Sequence, residues 1–402
     1  MGIIVQKYGG TSVGSVERIQ AIADRVIEVS RTGSPVVVVV SAMGKATDDL
    51  VDLANQISNH NPDSREYDAL ISTGESVSAA LLSMALISKG KPAVSLTGYQ
   101  AGIKTESIHS KAKITGIEGS RIHEELKAGK VVVITGFQGF SNENNITTIG
   151  RGGSDTSAVV LAAALGSSEC EIYTDVNGVY TTDPRIEPKA KKIETISYDE
   201  MLEMASLGAG VLHPRAVECA KEHGITLHVR SSFNQEEGTR VKDVSMEIQQ
   251  PVTGIALKEE AKLSIIKIPD TPNVAAQVFN ELAAKHINVD MIIQSTQEEG
   301  FNDISFTVSR DDLTVSKEIL EKVANRLNAK RVTTNGHIAK LSIVGVGMIS
   351  RPGIAAKMFS ILGNNGINIE LISTSEIKIS CVINDTEGKR AVQLLHDAFE
   401  LG

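Results

Sequence analysis

Six short apolar runs punctuate the first part of this 402-residue chain: Ile3–Gln6, Val36–Ser41, Ala93–Leu96, Val131–Thr135, Cys170–Tyr173 and Thr226–Val229. Most lack the apolar–polar alternation of a half-exposed strand, so they predict strands covered on both faces. Helical patterns such as Ser15–Ser30, Ser76–Ser88 and Ser157–Leu165 lie between them. Strands of that kind, alternating with helices, form a largely parallel sheet between helical layers, with ligands at the carboxyl ends of the strands. The expected fold class is therefore α/β, opening with a three-layer α/β/α domain.

Two strand ends carry glycine loops. The first strand runs into Lys7-Tyr8-Gly9-Gly10-Thr11-Ser12-Val13-Gly14, and a helix follows. A strand-like run ending Thr147-Thr148-Ile149-Gly150 leads into Arg151-Gly152-Gly153-Ser154-Asp155, ahead of the alanine-rich Ser157–Leu165. A glycine pair before a helix is often only a tight turn. Here each pair has a cation and a hydroxyl beside it. Glycines let N–H groups approach an anion, and a helix N-terminus adds about half a positive charge. Arg151 offers a planar fork suited to a carboxylate or phosphate. Two such cradles suit a protein that brings two anions together.

Other loops are less decisive. Ser41-Ala42-Met43-Gly44-Lys45-Ala46-Thr47 is a hydroxyl-rich turn at the same edge of the predicted sheet. Glu75 either binds an ammonium group or simply favours a helix start. The long turn Tyr173–Arg185 holds carboxylates and hydroxyls suited to a ribose and a magnesium–phosphate group. His213, before Pro214 at a helix start, reads more readily as structural than catalytic. Gly345–Ser350 lacks the third glycine of a dinucleotide loop, and its counterpart Lys267–Asp270 has none. Gly44-Lys45 lacks both the upstream glycine and the following hydroxyl of a nucleoside-triphosphate loop.

The tail is an internal duplication. Lys262-Leu263-Ser264-Ile265-Ile266 recurs as Lys340-Leu341-Ser342-Ile343-Val344, a spacing of 78. Pro272 then matches Pro352, and Ile287-Asn288-Val289 matches Ile367-Asn368-Ile369, at a spacing of 80. Each copy reads strand, loop, helix, strand, strand, helix, a small α+β sandwich, and neither holds a catalytic constellation. The polar stretch Ser231–Gln250 reads as the boundary. The expected divisions are 1–232, a linker 233–251, and two modules at 252–336 and 337–402.

Composition removes some partners. A net charge of -9 and 3% aromatic residues disfavour nucleic acid. No run is expected to reach the roughly 20 apolar residues of a membrane span. Cys170, Cys219 and Cys381 are far apart without CxxC spacing, which with the lack of a visible signal peptide fits a cytoplasmic protein.

Together the motifs resemble the aspartate kinases of the amino-acid kinase superfamily over nearly the whole chain. Val5–Val13 is similar to that family's opening V-x-K-[FY]-G-G-T-S-V, Ser41–Asp48 to its S-A-M-G loop, and Gly74-Glu75 to its G-E. Gly150–Asp155, Tyr173–Arg185 and Leu212–Arg215 match its later motifs, and the tail resembles its tandem ferredoxin-like ACT domains. The resemblance implies a monofunctional enzyme making 4-phospho-L-aspartate from L-aspartate and ATP with Mg2+, at the head of lysine, threonine and methionine synthesis. Its catalytic residues would be Lys7, Arg151 and Asp155. Lys7, Tyr8, Gly9, Gly10, Ser41, Thr174, Asp175, Tyr180, Thr181, Thr182, Asp183, Pro184 and Arg185 would hold ATP. Thr47, Glu75, Arg151, Gly152, Gly153 and Ser154 would hold aspartate, and no protein ligand to the metal is assigned. Lysine or threonine would act as effector at Asp270, Ala275, Asn288, Val289, Asp290 and Gln294 of one copy. Ile354, Ala355, Asn368, Ile369, Ser375 and Glu376 would contribute from the other. A homo-oligomer, or an α2β2 assembly whose β chain starts internally near Met246, is expected. Acetylglutamate and glutamate 5-kinases share the superfamily but lack this tail, and a silent sensor on the same fold would have lost Lys7, Arg151 or Asp155.

Overall fold

The computed structural model describes residues 2–244, 250–296 and 300–402. They fall into two compact units, Met1–Tyr180 with Lys192–Ser245, and Thr181–Lys191 with Met246–Gly402. The first unit runs β1 (Ile4–Tyr8), α1 (Val16–Ser30), β2 (Val36–Val40), α2 (Ala46–Ser58), α3 (Ser64–Ile71), α4 (Thr73–Ser88) and β3 (Ala93–Leu96). It continues through β4 (Ile103–Thr105), β5 (Ile114–Ile117), α5 (Ser120–Lys127), β6 (Val131–Thr135), β7 (Gln138–Phe140), β8 (Ile146–Thr148) and α6 (Gly153–Ala164). It closes with β9 (Glu169–Thr174), β10 (Thr195–Ile196), α7 (Tyr198–Met204), α8 (Pro214–His223), β11 (Thr226–Ser231) and β12 (Thr239–Val241).

An eight-stranded sheet in the order β10-β12-β11-β9-β1-β2-β6-β3 is the spine of this unit. All its pairings except β11–β12 are parallel. The five valines of β2 are all buried, which is why no alternation was visible there. Helix α1 is capped by Ser15, whose hydroxyl accepts from the Arg18 N–H, and buries Ile19, Ile22, Ala23 and Val26 at helical spacing. A second sheet, β5-β4-β7-β8, was foreseen only in the strand-like run at β8, because strands of three or four residues are too short to show a period. The expected linker is partly sheet as well, since β12 pairs with β11.

Ser64–Ser88 is long and apolar enough to cross a membrane by length and composition, contrary to the expectation that no run would be. It consists of two helices, is half buried, and α4 packs on α1, β3 and β6 as a core helix does.

The second unit contains β13 (Gly254–Pro269), α9 (Val274–Ala283), β14 (Ile292–Thr296), β15 (Phe301–Val308), α10 (Leu313–Arg326) and β16 (Arg331–Val344). After these come α11 (Ile354–Asn364), β17 (Leu371–Thr374), β18 (Lys378–Asn384) and α12 (Gly388–Ala398). The duplication shares one six-stranded antiparallel sheet, β14-β15-β13-β16-β18-β17. Strand β13 changes allegiance at a bulge between Glu260 and Lys262. Its first half sends Ile255 into the core around Leu341 and Met358, whereas Leu263 and Ile265 join the core around Val278 and Phe306. A boundary between 336 and 337 therefore falls inside β16. Each module is completed by the long strand of the other, and a period read along the chain cannot report that exchange.

Candidate active site

Lys7 is the penultimate residue of β1 and points its Nζ to within 2.5 Å of Asp155 Oδ1, with the two side chains only 11% and 13% exposed. Asp155 lies in the first turn of α6, which begins at Gly153 and not at Ser157 as the apolar pattern suggested. The cation of one glycine loop thus meets the anion of the other. The Gly9 N–H donates to the Tyr173 carbonyl at 3.2 Å, and the Gly44 N–H donates to the Gly10 carbonyl at 3.1 Å. These bonds gather the ends of β1, β2 and β9.

Tyr8 does not face this site. It is fully buried and stacks on Tyr173 with centroids 4.7 Å apart, so its ring is core and cannot touch a nucleotide. Strand β1 extends two residues past the expected end because that stacking belongs to the sheet.

The loop after β2 is held from α4. The Ser41 carbonyl accepts from Ser78 Oγ at 2.7 Å, and the Ala42 N–H donates to Glu75 Oε1 at 3.3 Å. Gly74 permits this approach, since a Cβ there would lie 2.8 Å from the Ala42 methyl and 3.8 Å from Thr47 Oγ1. Thr47 and Glu75 are thereby brought to one loop. Glu75 is buried, and burial pushes its carboxyl up to about 7, while Oε2 has no partner among the described residues. Such a group is poised to ionise when a cation arrives.

Residues 149–155 are clamped from behind. Arg215 Nη1 donates to the Ile149 carbonyl at 2.6 Å, and His213 caps α8 by accepting from the Arg215 N–H. Gly152 has φ 71, and a Cβ on it would sit 2.1 Å from the His213 ring, so no other residue fits. Burial lowers the His213 pKa, consistent with a neutral structural ring. Ser154 packs directly on Gly136 at the end of β6. Arg151 is exposed and forms no ion pair among the described residues.

Sequence reasoning missed Asp68 and Ser78, and it singled out Arg215 only as part of a motif. The Asp68 carboxylate is fully buried and accepts from the Ser110 N–H and hydroxyl, the Thr148 N–H and hydroxyl, and lies 2.8 Å from His109 Nδ1. It pins β8 beside the loop on which Gly150 rests. Nothing in its local sequence distinguishes it from a solvated helix residue.

The expected nucleotide segment divides. Thr174 ends β9, its carbonyl accepting from the Ser232 N–H at 2.9 Å, and Asp175 is exposed beside it. Tyr180 bridges to Lys192. Thr181–Lys191 belongs to the second unit. Thr181 is buried with its hydroxyl 2.9 Å from His396 Nε2, and Thr182 is buried too, so both side chains are committed away from a nucleotide. Asp183 pairs with Arg185 on the surface, next to the exposed Pro184, and Arg185 is 90% exposed.

In the second unit, Asp270, Ala275 and Gln294 line a cavity of about 210 Å3, as three of the expected effector residues. Asn288 and Val289 are not among its lining residues. Asp290 forms an ion pair with Lys340, which takes up its carboxylate. In the other copy Ile354, Ala355 and Ile369 pack on the core, while Asn368, Ser375 and Glu376 are exposed.

Residues 2–231 match the amino acid kinase family, and residues 263–328 and 341–399 each match an ACT domain. The chain is 54% identical over 403 residues to an aspartokinase of Bacillus sp. strain MGA3, covering 100% of this chain and 98% of that one. It is 52% identical to aspartokinase 2 of Bacillus subtilis strain 168, with the same coverage. Among solved structures, E. coli aspartokinase III in complex with aspartate and ADP (R-state) has a TM-score of 0.81 at 26% identity, covering 99% of both chains. The glycine cradles joined through Lys7 and Asp155 belong, with the duplicated tail, to a chain that is a member of the aspartokinase family.

Proposed function

We propose that this aspartate kinase uses the Lys7–Asp155 junction to align the γ-phosphoryl group of ATP with the β-carboxylate of L-aspartate. That ion pair between the two cradles is the observation that carries the reading. An aspartate side chain is already ionised at pH 7, so its oxygen attacks γ-phosphorus without a general base and ADP departs with the electrons of the broken P–O bond. What remains is alignment and charge neutralisation. In this reading Lys7 and the Gly10 N–H meet the transferring group, the Gly9 N–H being taken by the Tyr173 carbonyl, and Ser41, Thr174, Asp175 and Tyr180 attend the nucleotide. Arg151 takes the α-carboxylate of aspartate, Glu75 its ammonium, and Thr47 and Ser154 line its pocket. Magnesium enters with ATP, for the donors at the junction are chiefly ammonium and N–H groups, which suit phosphate oxygens. A kinase assay on L-aspartate, with N-acetylglutamate and L-glutamate as competing acceptors, tests the assignment.

Lysine or threonine acts through the second unit, consistent with the first step of a pathway that ends in those amino acids. E. coli aspartokinase III has been solved in complex with lysine and aspartate (T-state), which supports the reading. Adding lysine and threonine singly and together to the same assay tests it. A homo-oligomer, or α2β2 with a β chain begun at Met246, remains part of the proposal, although Met246 lies outside the described residues. Three unpaired cysteines accord with a cytoplasmic setting.

A further inference from the structure

We propose that Asn302 is a specificity-determining residue of the cavity in the first ACT module, forming with Asp270 a receptor for the ammonium group of a free α-amino acid. The inference rests on the effector reading above. At about 210 Å3 the cavity is smaller than the roughly 300–1,000 Å3 of pockets for drug-sized ligands and suits one small metabolite. Its polar groups divide by charge. Asp270, Asn302 and Gln294 present acceptors. Facing the same cavity, Asn273 opens α9 as a left-handed N-cap without a side-chain capping bond, and Ala275 lies in the first turn. First-turn N–H groups lack helical partners and favour a carboxylate.

The independent observation is the amide of Asn302 itself, which is 3% exposed. Its Nδ2 donates to Asp270 Oδ1 at 2.7 Å, and its Oδ1 has no partner among the described residues. Because an ionised carboxylate only accepts, Asp270 dictates which end of the amide it meets. The amide oxygen is thus left buried and unsatisfied, an arrangement that native structures rarely keep without reason. A primary ammonium carries three N–H donors, enough to serve both Asp270 and that oxygen. The backbone builds this pairing. Asn302 opposes Ile268 beyond a bulge in β13, the Lys267 N–H donates to Asp303 Oδ1 at 2.7 Å, and the Asp270 N–H donates to the Gly300 carbonyl at 2.8 Å.

The second module provides the contrast. Gln294 opposes Ile304 in the first, and Thr374 opposes Ile379 in the second. Two residues before those isoleucines stand Asn302 and Ile377 respectively. The acceptor of the first copy is replaced by a hydrocarbon in the other, so the repeats are not equivalent readers of an amino acid.

Calorimetry on the full chain tests this with lysine, threonine and the 2-hydroxy analogues in which a hydroxyl replaces the α-ammonium. Asn302→Ile, which installs the residue of the second module, should weaken whichever amino acid binds by about tenfold or more. The preference for ammonium over hydroxyl should shrink in the same proportion, with effector-free kinase activity unchanged. Asn302→Ser should move both readouts in the same direction if the isoleucine variant fails to fold. Unchanged affinity, or equal weakening of amino and hydroxy compounds, overturns the proposal, because a merely structural amide would not discriminate between them. If the parent protein binds neither amino acid, the effector reading falls and takes this inference with it.

Discussion

Glu75 is the residue whose charge state most depends on its surroundings. Burial raises its carboxyl from 4.5 to about 7, so it is largely neutral at pH 6 and largely ionised at pH 8. If it receives the substrate ammonium, the KM for aspartate should fall by about tenfold between those values, and Glu75→Gln should raise KM and flatten the profile. The stability sign runs the other way. The folded state holds this proton more tightly than the unfolded chain, so its contribution is present below about pH 4.5 and lost as pH rises to 7. Urea unfolding at pH 8 should find Glu75→Gln more stable than the parent by up to roughly 3 kcal/mol. Arg151 and Lys7 divide differently. Arg151→Ala should weaken aspartate use by about 2–4 kcal/mol in kcat/KM and leave the KM for ATP nearly unchanged. Lys7→Ala should chiefly lower kcat, because a contact that strengthens as the phosphoryl group transfers acts on turnover. Steady-state kinetics in both substrates decide this, and an Arg151→Ala variant altered only in ATP would reverse the assignment of the cradles.

Elements are placed by close approaches that local patterns do not record. Helices α4 and α6 each start before the apolar run that announced them, at Thr73 and Gly153, and each extra turn carries a site residue, Glu75 or Asp155. Gly74→Ala would set a methyl 2.8 Å from the Ala42 side chain and push the Ser41 loop off the helix. A loss of about 1–3 kcal/mol in thermal or urea unfolding is expected, with KM raised for aspartate. In the second unit the duplicated lysines exchange partners: Lys340 pairs with Asp290 of the first copy, and Lys262 with Glu370 of the second. Lys340 is 2% exposed, and burial pulls its pKa down to about 8. It also lies 3.5 Å from the buried Glu260. Lys340→Met should cost about 1–3 kcal/mol in urea unfolding, since Asp290 loses its partner while Glu260 keeps Lys258 at 2.9 Å.

At the scale of the whole molecule, the second unit is not a simple tail. Residues Thr181–Lys191 belong to it, with Thr181 on His396, Lys189 on Asp397, and Gln393 donating to the Ile186 carbonyl. A fragment of residues 246–402 would lack that segment and leave the His396 ring without this partner. Its melting temperature should rise when a peptide of residues 181–191 is added, and an unchanged value would show that the segment is dispensable. Met246→Leu should abolish such a fragment in the expressing cell if an internal start makes it. The sequence by itself determined the parallel sheet, the two glycine cradles and the duplication, because each rests on residues close in the chain: buried valine runs, glycine before a helix, a repeat at fixed spacing. It carried no sign that Tyr8 stacks on Tyr173, that Asp68 pins β8, or that Thr181 turns toward His396. Those depend on partners 165, 80 and 215 residues away. The sharing of β13 and β16 between modules and the meeting of Lys7 with Asp155 were likewise tertiary decisions. Local pattern sets which face of an element is apolar; only packing sets which distant face it meets.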